Sequence, residues 1–285
     1  MGARPGAGLR GVQPQARPAA VRRRRHGAGR RARRPRRDVR RQRLPVPARA
    51  PHRDHAEGRA AARRVAAPAG LEIAHRYLPA RSGVGGDWYD VVPLPGDKVA
   101  VVIGDSVGHG VAAAAAMGQL RVAAHTLASC EFPPAEVLQR LDSIAQDLDA
   151  AQFATCLCMV CDPATLRCEL ACAGHPPPLL ALPDGTARRF AFPHGLPLGV
   201  SDPAHPADYE QAAARIPPGA TLAFYTDGLV ESRMRNIDEG IARLASALVA
   251  SQAGSLEETA DGVLALLADQ QGHDDIALLL IRPAG

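Results

Sequence analysis

Trp88-Tyr89-Asp90-Val91-Val92-Pro93-Leu94-Pro95-Gly96-Asp97-Lys98-Val99-Ala100-Val101-Val102-Ile103 is the stretch on which the fold turns. Two short apolar runs rich in β-branched residues flank Pro93-Leu94-Pro95-Gly96-Asp97. Proline fixes one turn φ and glycine frees another, so the segment predicts an antiparallel hairpin with strands at Trp88–Val92 and Val99–Ile103.

The same turn chemistry recurs downstream. Phe153–Cys161 and Arg167–Ala173 read as strands joined by Asp162-Pro163-Ala164-Thr165. Leu179–Leu182 and Thr186–Phe192 are joined by Pro183-Asp184-Gly185. Tyr209–Ile216 and Thr221–Tyr225 are expected to pair across Pro217-Pro218-Gly219. Leu71–Tyr77 and Ile276–Ile281 add a strand at each end of the globule. Between these blocks, apolar residues at helical spacing predict helices at roughly Val111–Leu127, Pro134–Leu148, Gly240–Gln252 and Leu256–Gln270. Ser255 and Glu258 form a capping-box pattern at the start of the last helix. Strands and helices come in blocks, without regular βαβ alternation. The expected fold class is α+β: a sandwich of two antiparallel sheets flanked by helix pairs.

Charge divides the 285 residues more sharply than length does. Residues 1–64 hold 21 of the 34 Lys and Arg and only three acids, giving 21 − 3 = +18. The remaining residues hold 34 − 21 = 13 basic and 29 − 3 = 26 acidic side chains, giving −13. The basic segment contains no Phe, Trp, Tyr, Ile, Ser, Thr or Lys. It cannot bury enough apolar surface to offset its ordering entropy, so disorder is expected. Its Arg/Ala/Pro/Gly vocabulary is also what a GC-rich reading frame gives out of phase. A mis-called start is therefore the first expectation for residues 1–64, a solvated tail the second and a nucleic-acid arm the third. Residues 71–282 are expected to form the globular domain.

The Arg-rich start is not followed by an apolar core, so no signal peptide is expected. No apolar run approaches bilayer length, so no membrane association is expected. Five of the six cysteines (Cys156, Cys158, Cys161, Cys168, Cys172) fall on the second hairpin, where Cys serves as a small core residue rather than a zinc ligand. Free thiols point to a reducing cytoplasm.

Four acidic segments, around Asp87/Asp90, Asp105, Asp227 and Asp274/Asp275, sit at the edges of apolar strands. An ionised carboxylate beside a core needs a partner, and no run of Lys or Arg follows these sites to supply one. A divalent cation would serve several converging carboxylates at once. Oxygen-only donors suit hard ions such as Mg²⁺ and Mn²⁺, and four carboxylates leave room for two of them. Gly104 and Gly108 would let the backbone come close enough for a carbonyl such as that of Ser106 to join the site. Asp90 reads as a strand-end or turn residue, and Asp275 as a hydrogen-bonding neighbour of the ligands. Asp142, Asp147, Asp149 and Asp261 read as solvated helix-face acids. His109 is expected chiefly to shape its loop beside Asp105, and His175 to serve packing or turn chemistry.

Five segments together resemble the stage II sporulation protein E-like branch of the PPM-type protein phosphatases. They are Gly83-Val84-Gly85-Gly86-Asp87-Trp88-Tyr89-Asp90, Ile103-Gly104-Asp105-Ser106-Val107-Gly108-His109-Gly110, Ala173-Gly174-His175-Pro176-Pro177, Tyr225-Thr226-Asp227-Gly228-Leu229-Val230-Glu231 and Asp274-Asp275-Ile276-Ala277-Leu278-Leu279. The resemblance implies a PPM-type phosphatase fold and a site with two Mn²⁺ or Mg²⁺ ions. Asp105 would bridge them, Asp87 and the Ser106 carbonyl would serve one, and Asp227 and Asp274 the other. Asp105 and Asp87 become the catalytic candidates, with Asp275, His109 and Gly228 supporting them from behind. The implied activity is hydrolysis of phosphoserine or phosphothreonine. The implied substrate is a phosphorylated anti-anti-sigma factor of the STAS type, in a partner-switching pathway that frees a sigma factor. The competing expectations are a catalytically inert module of the same fold that binds a regulatory partner, and a nucleic-acid-binding protein acting through the Arg-rich segment. The acidic globule offers no second basic surface for the latter.

Overall fold

A computed structural model of the chain describes residues 68–80, 85–108, 111–148, 153–202, 204–232, 235–267 and 274–284. These all fall within one unit, residues 56–285. The basic segment 1–64 lies outside the described residues.

The first hairpin forms as its turn chemistry dictates. β2 (Asp87–Pro93) pairs antiparallel with β3 (Val99–Ser106), Trp88 opposite Gly104 and Val91 opposite Val101. β3 pairs on its other side with β4 (Ala154–Asp162), which continues through a tight turn into β5 (Arg167–Ala173). β8 (Ala212–Arg215) closes this sheet, whose order is β2-β3-β4-β5-β8. The second sheet has the order β1-β10-β9-β6-β7. It is built from β1 (Leu71–Leu78), β10 (Ile276–Pro283), β9 (Thr221–Tyr225), β6 (Leu179–Ala181) and β7 (Ala187–Arg189). Every pairing of named strands is antiparallel.

Side-chain alternation then fixes the layers. From β3, β4, β9 and β10, the residues Val101, Ile103, Leu157, Met159, Leu222, Phe224, Leu279 and Ile281 meet between the sheets. Residues one step out of phase turn to the outer faces. Trp88, Val102, Cys156 and Cys158 pack under α1 (Val111–Ser129) and α2 (Pro134–Asp147). Ala223, Tyr225, Leu278 and Leu280 pack under α4 (Ile237–Ser251) and α5 (Leu256–Leu267). Both faces of each central strand are buried, which is why these strands read as continuous apolar runs. The result is a four-layer α/β/β/α sandwich. None of its described helices is long and apolar enough to cross a membrane.

Local signals behave as their chemistry requires. Ser255 and Glu258 exchange the two reciprocal bonds of a capping box, at 2.9 and 3.2 Å. Arg76 on β1 reaches Asp261 at 2.7 Å and Glu257 at 2.6 Å on α5. Both acids are well exposed, so each pair contributes under about 1 kcal/mol. Asp90 binds His125 of α1 at 2.7 Å, a structural role as expected. The five hairpin cysteines are buried free thiols, and burial pushes Cys158 up to about 12.

Three expectations fail. Tyr209–Ile216 and Thr221–Tyr225 do not form a hairpin: β8 pairs with β5, whereas β9 pairs with β10 and β6. The Pro217-Pro218-Gly219 segment carries the chain from one sheet to the other. The Ile216 N–H, just before it, turns to the Leu166 carbonyl. α4 begins three residues before Gly240, because Asn236 caps it by accepting from the Glu239 N–H. Asp142 is not a solvated helix-face acid. It is 2 % exposed and accepts hydrogen bonds from the Gly199 N–H, the Ser201 hydroxyl and the Gln146 amide, pinning the 198–201 loop to α2.

Candidate active site

At one end of the sandwich, the apolar filling between the sheets gives way to carboxylates. Asp105 shares the inward phase of Val101 and Ile103 on β3, and Asp87 stands directly opposite it on β2. From the other sheet, Thr226 follows β9 in the inward phase of Leu222 and Phe224. Asp227 comes next and opens a four-residue helix, α3 (Asp227–Val230). Asp274 and Asp275 immediately precede β10. The two sheets thus deliver five carboxylates to one place.

The carboxylates feel one another's charge. Burial pushes the Asp87 carboxyl well above the usual range, the Asp105 charge adds to this, and a hydrogen bond from Thr226 opposes it. Burial and the Asp227 charge push Asp105 up to about 7, and Asp274 and Asp275 contribute as well. Asp227 is raised by burial and then by Asp274, and Asp274 by burial, partly offset by the Asp275 N–H. None of the ion pairs formed among the described residues involves any of the five. The phenol of Tyr77, at the end of β1, is raised by burial and by Asp275 and Asp87, which puts it on the rim of the same cluster. Sequence reasoning missed Tyr77, which carries no motif of its own.

Glycine sets the tightest approaches. A Cβ at Gly86 would lie 2.5 Å from the Ser106 carbonyl oxygen and 3.2 Å from Asp105 Oδ1. Only glycine leaves that carbonyl accessible beside the acids. The Ser106 N–H donates to the Gly86 carbonyl at 3.1 Å, holding the loop in place. At Gly228 a Cβ would run into the Asp275 carbonyl oxygen. Asp275 itself is buried and accepts from the Ala80 N–H at 2.7 Å, so it braces the chain between β1 and β2.

Two uncharged side chains tie the sheets together here. Thr226 Oγ1 donates to Asp87 Oδ2 at 2.6 Å and accepts from the Ala277 N–H at 2.9 Å. His175 is 2 % exposed; its Nδ1 meets Thr155 Oγ1 at 2.8 Å, and the ring faces the Tyr225 backbone. Thr155 is the β4 partner of Asp105, so His175 spans the floor of the site. This packing role is the one expected for it. His109 lies outside the described residues.

Asp87, Asp105, Ser106, Asp227 and Asp274 are therefore brought to one end of the sandwich, with Asp275 and Gly228 behind them. Among the described residues, no three acidic, histidine or cysteine side chains already stand close enough to enclose a single ion. The acids form a converging set, coupled through space, rather than a closed cage. The donor set still fits a hard divalent cation: it is all oxygen and includes a carbonyl that Gly86 leaves accessible. Holding several buried carboxylates ionised with no counter-charge costs several kcal/mol each.

The sequence profile of the Stage II sporulation protein E (SpoIIE) family matches residues 95–284. The chain belongs to the SpoIIE family. Within it, the phosphoserine phosphatase RsbU of Bacillus subtilis (strain 168) is 26 % identical over 216 residues, covering 74 % of this chain and 63 % of that protein. The structure of the RsbU and RsbW domains of Rv1364c from Mycobacterium tuberculosis superposes with a TM-score of 0.68 at 31 % identity, over 77 % of this chain and 62 % of that one. The PP2C phosphatase domain of SpoIIE from Bacillus subtilis, with a fragment of its regulatory domain, gives a TM-score of 0.61 at 18 % identity over 74 % and 63 %. The sandwich is thus the PPM, or PP2C-type, phosphatase fold. The chain spans just under two thirds of the length of the SpoIIE-family relatives it matches.

Proposed function

We propose that the chain is a metal-dependent phosphoprotein phosphatase that hydrolyses phosphoserine or phosphothreonine. The observation that carries this reading is the meeting of five carboxylates from two sheets, with no ion-pair partner for any of them among the described residues. The activity in the name of its RsbU relative supports it.

Asp105 would contribute to both ion positions, Asp87 and the Ser106 carbonyl to one, and Asp227 and Asp274 to the other. Bound there, Mn²⁺ or Mg²⁺ would supply Lewis acidity toward a phosphate ester and toward the attacking water. The chain's own part is to present the oxygens from a rigid frame. Asp87 and Asp105 hang from adjacent strands of one sheet, and Asp227 and Asp274 from the other. Asp275 and Gly228 keep the two acidic loops close.

The substrate proposed is a phosphorylated STAS-type anti-anti-sigma factor, in a cytoplasmic partner-switching pathway that controls a sigma factor. A relative that joins an RsbU domain to an RsbW domain supports that setting. The domain responsible is residues 71–282, with the basic segment 1–64 outside it.

The direct test is hydrolysis of p-nitrophenyl phosphate, and of a phosphorylated STAS protein, by the full chain with Mn²⁺. Activity should vanish with EDTA and in Asp105→Asn. Wild-type turnover no higher than that of Asp105→Asn would leave an inert module that binds a regulatory partner.

A further inference from the structure

We propose that Thr226 is a positioning residue that aims the Asp87 carboxylate and joins the two halves of the metal site through its single hydroxyl. The inference rests on the metal-dependent reading above and concerns how this chain prepares the site.

The hydroxyl has one proton to give and lone pairs to receive. It accepts from the Ala277 N–H at 2.9 Å, so the proton is directed to Asp87 Oδ2, 2.6 Å away. The backbone locks this orientation, because the Thr226 N–H donates to the Ala277 carbonyl at 3.1 Å. Thr226 is 0 % exposed, and no solvent competes for either bond. The bond from Thr226 to Asp87 crosses from the β9–β10 sheet to the β2–β3 sheet. It spends one Asp87 oxygen on the frame and leaves the other for the acid cluster. The same hydroxyl is anchored to Ala277, two residues after Asp275, so the carboxylates of the two sheets are held at a common spacing by one side chain.

A serine could do the same, whereas a valine of the same shape could not. Outer partners of metal ligands typically account for roughly 10–100-fold in metal affinity. The experiment is calorimetric titration of the metal-free full chain with Mn²⁺, for wild type, Thr226→Ser, Thr226→Val, Asp87→Asn and the double variant Thr226→Val/Asp87→Asn. Thermal unfolding in EDTA is followed on the same samples. The expected result is at least about tenfold weaker Mn²⁺ binding in Thr226→Val. Thr226→Ser should bind within about threefold of wild type, since it keeps the hydroxyl. The double variant should bind no worse than Asp87→Asn alone, because Thr226 acts through that carboxylate. Wild-type affinity in Thr226→Val, or losses that add in the double variant, would overturn the positioning role while leaving the metal site intact. No Mn²⁺ binding by the wild type would remove the metal-dependent reading itself, and this role with it.

Discussion

Asp87 and Asp105 face each other as register partners across the β2–β3 ladder, their side chains on the same face of the sheet. Like charges placed directly opposite oppose folding, and burial compounds the cost. Stability is given up at this point, and the following expectations derive from that.

Asp105→Asn should lower phosphatase turnover by more than about 100-fold, beyond the range typical of outer-shell changes. In EDTA, the same variant should melt about 2–4 °C higher than wild type, since one buried like charge is removed. A phosphatase assay with Mn²⁺ checks the first half, and scanning calorimetry in EDTA checks the second. A lower melting temperature in EDTA would show that the cluster is not under electrostatic strain.

His175 gives a pH dependence of definite sign. Burial holds its folded pKa near about 3, below the usual 6.5. Its contribution to stability is therefore complete above pH 6.5 and is lost as pH falls from 6.5 toward 3, because only the unfolded chain takes up the proton. The slope reaches about 1.4 kcal/mol per pH unit at most. Urea midpoints between pH 7 and 4 should fall more steeply for wild type than for His175→Asn.

Asp142→Ala should destabilise the chain by about 1–3 kcal/mol, because the Gly199 N–H and the Ser201 hydroxyl lose their acceptor. Hydrogen exchange should speed up around residues 198–201, and exchange across β10 should change far less. Uniform acceleration in both segments would contradict a local latch.

Gly228→Ala should cost about 1–3 kcal/mol and also weaken Mn²⁺ binding, since the added methyl presses on the Asp275 carbonyl beside Asp274. Denaturant titration and calorimetry on one sample would read the two effects.

How far the sequence revealed the structure depended on how local each cause was. The β2–β3 and β4–β5 hairpins were legible because a Pro- or Gly-containing turn and two apolar runs suffice to specify them. The capping box at Ser255 was legible for the same reason. Pro217-Pro218-Gly219 misled, because a turn says that the chain reverses, not which neighbour the next strand joins. β9 is buried throughout and sits in the middle of its sheet, whereas β8 is a short Ala-rich edge. That contrast in sequence was the available hint that they belong to different sheets. Asp142 misled because helical spacing puts it beside Leu141 on the flank, and only the distant 198–201 loop makes it buried. The acids at 87, 105, 227 and 274 were picked out by their place at strand ends. Thr226 was passed over, since a threonine before an acid has no distinctive pattern until the second sheet supplies Asp87.

The carboxylates hang from two sheets that touch through the side chains of Ile103, Leu157, Phe224 and Leu279. The gap between the acidic halves is accordingly the thickness of that hydrophobic filling. A methylene added to any of those side chains would act as a shim, widening the aperture between the acids without altering any of them.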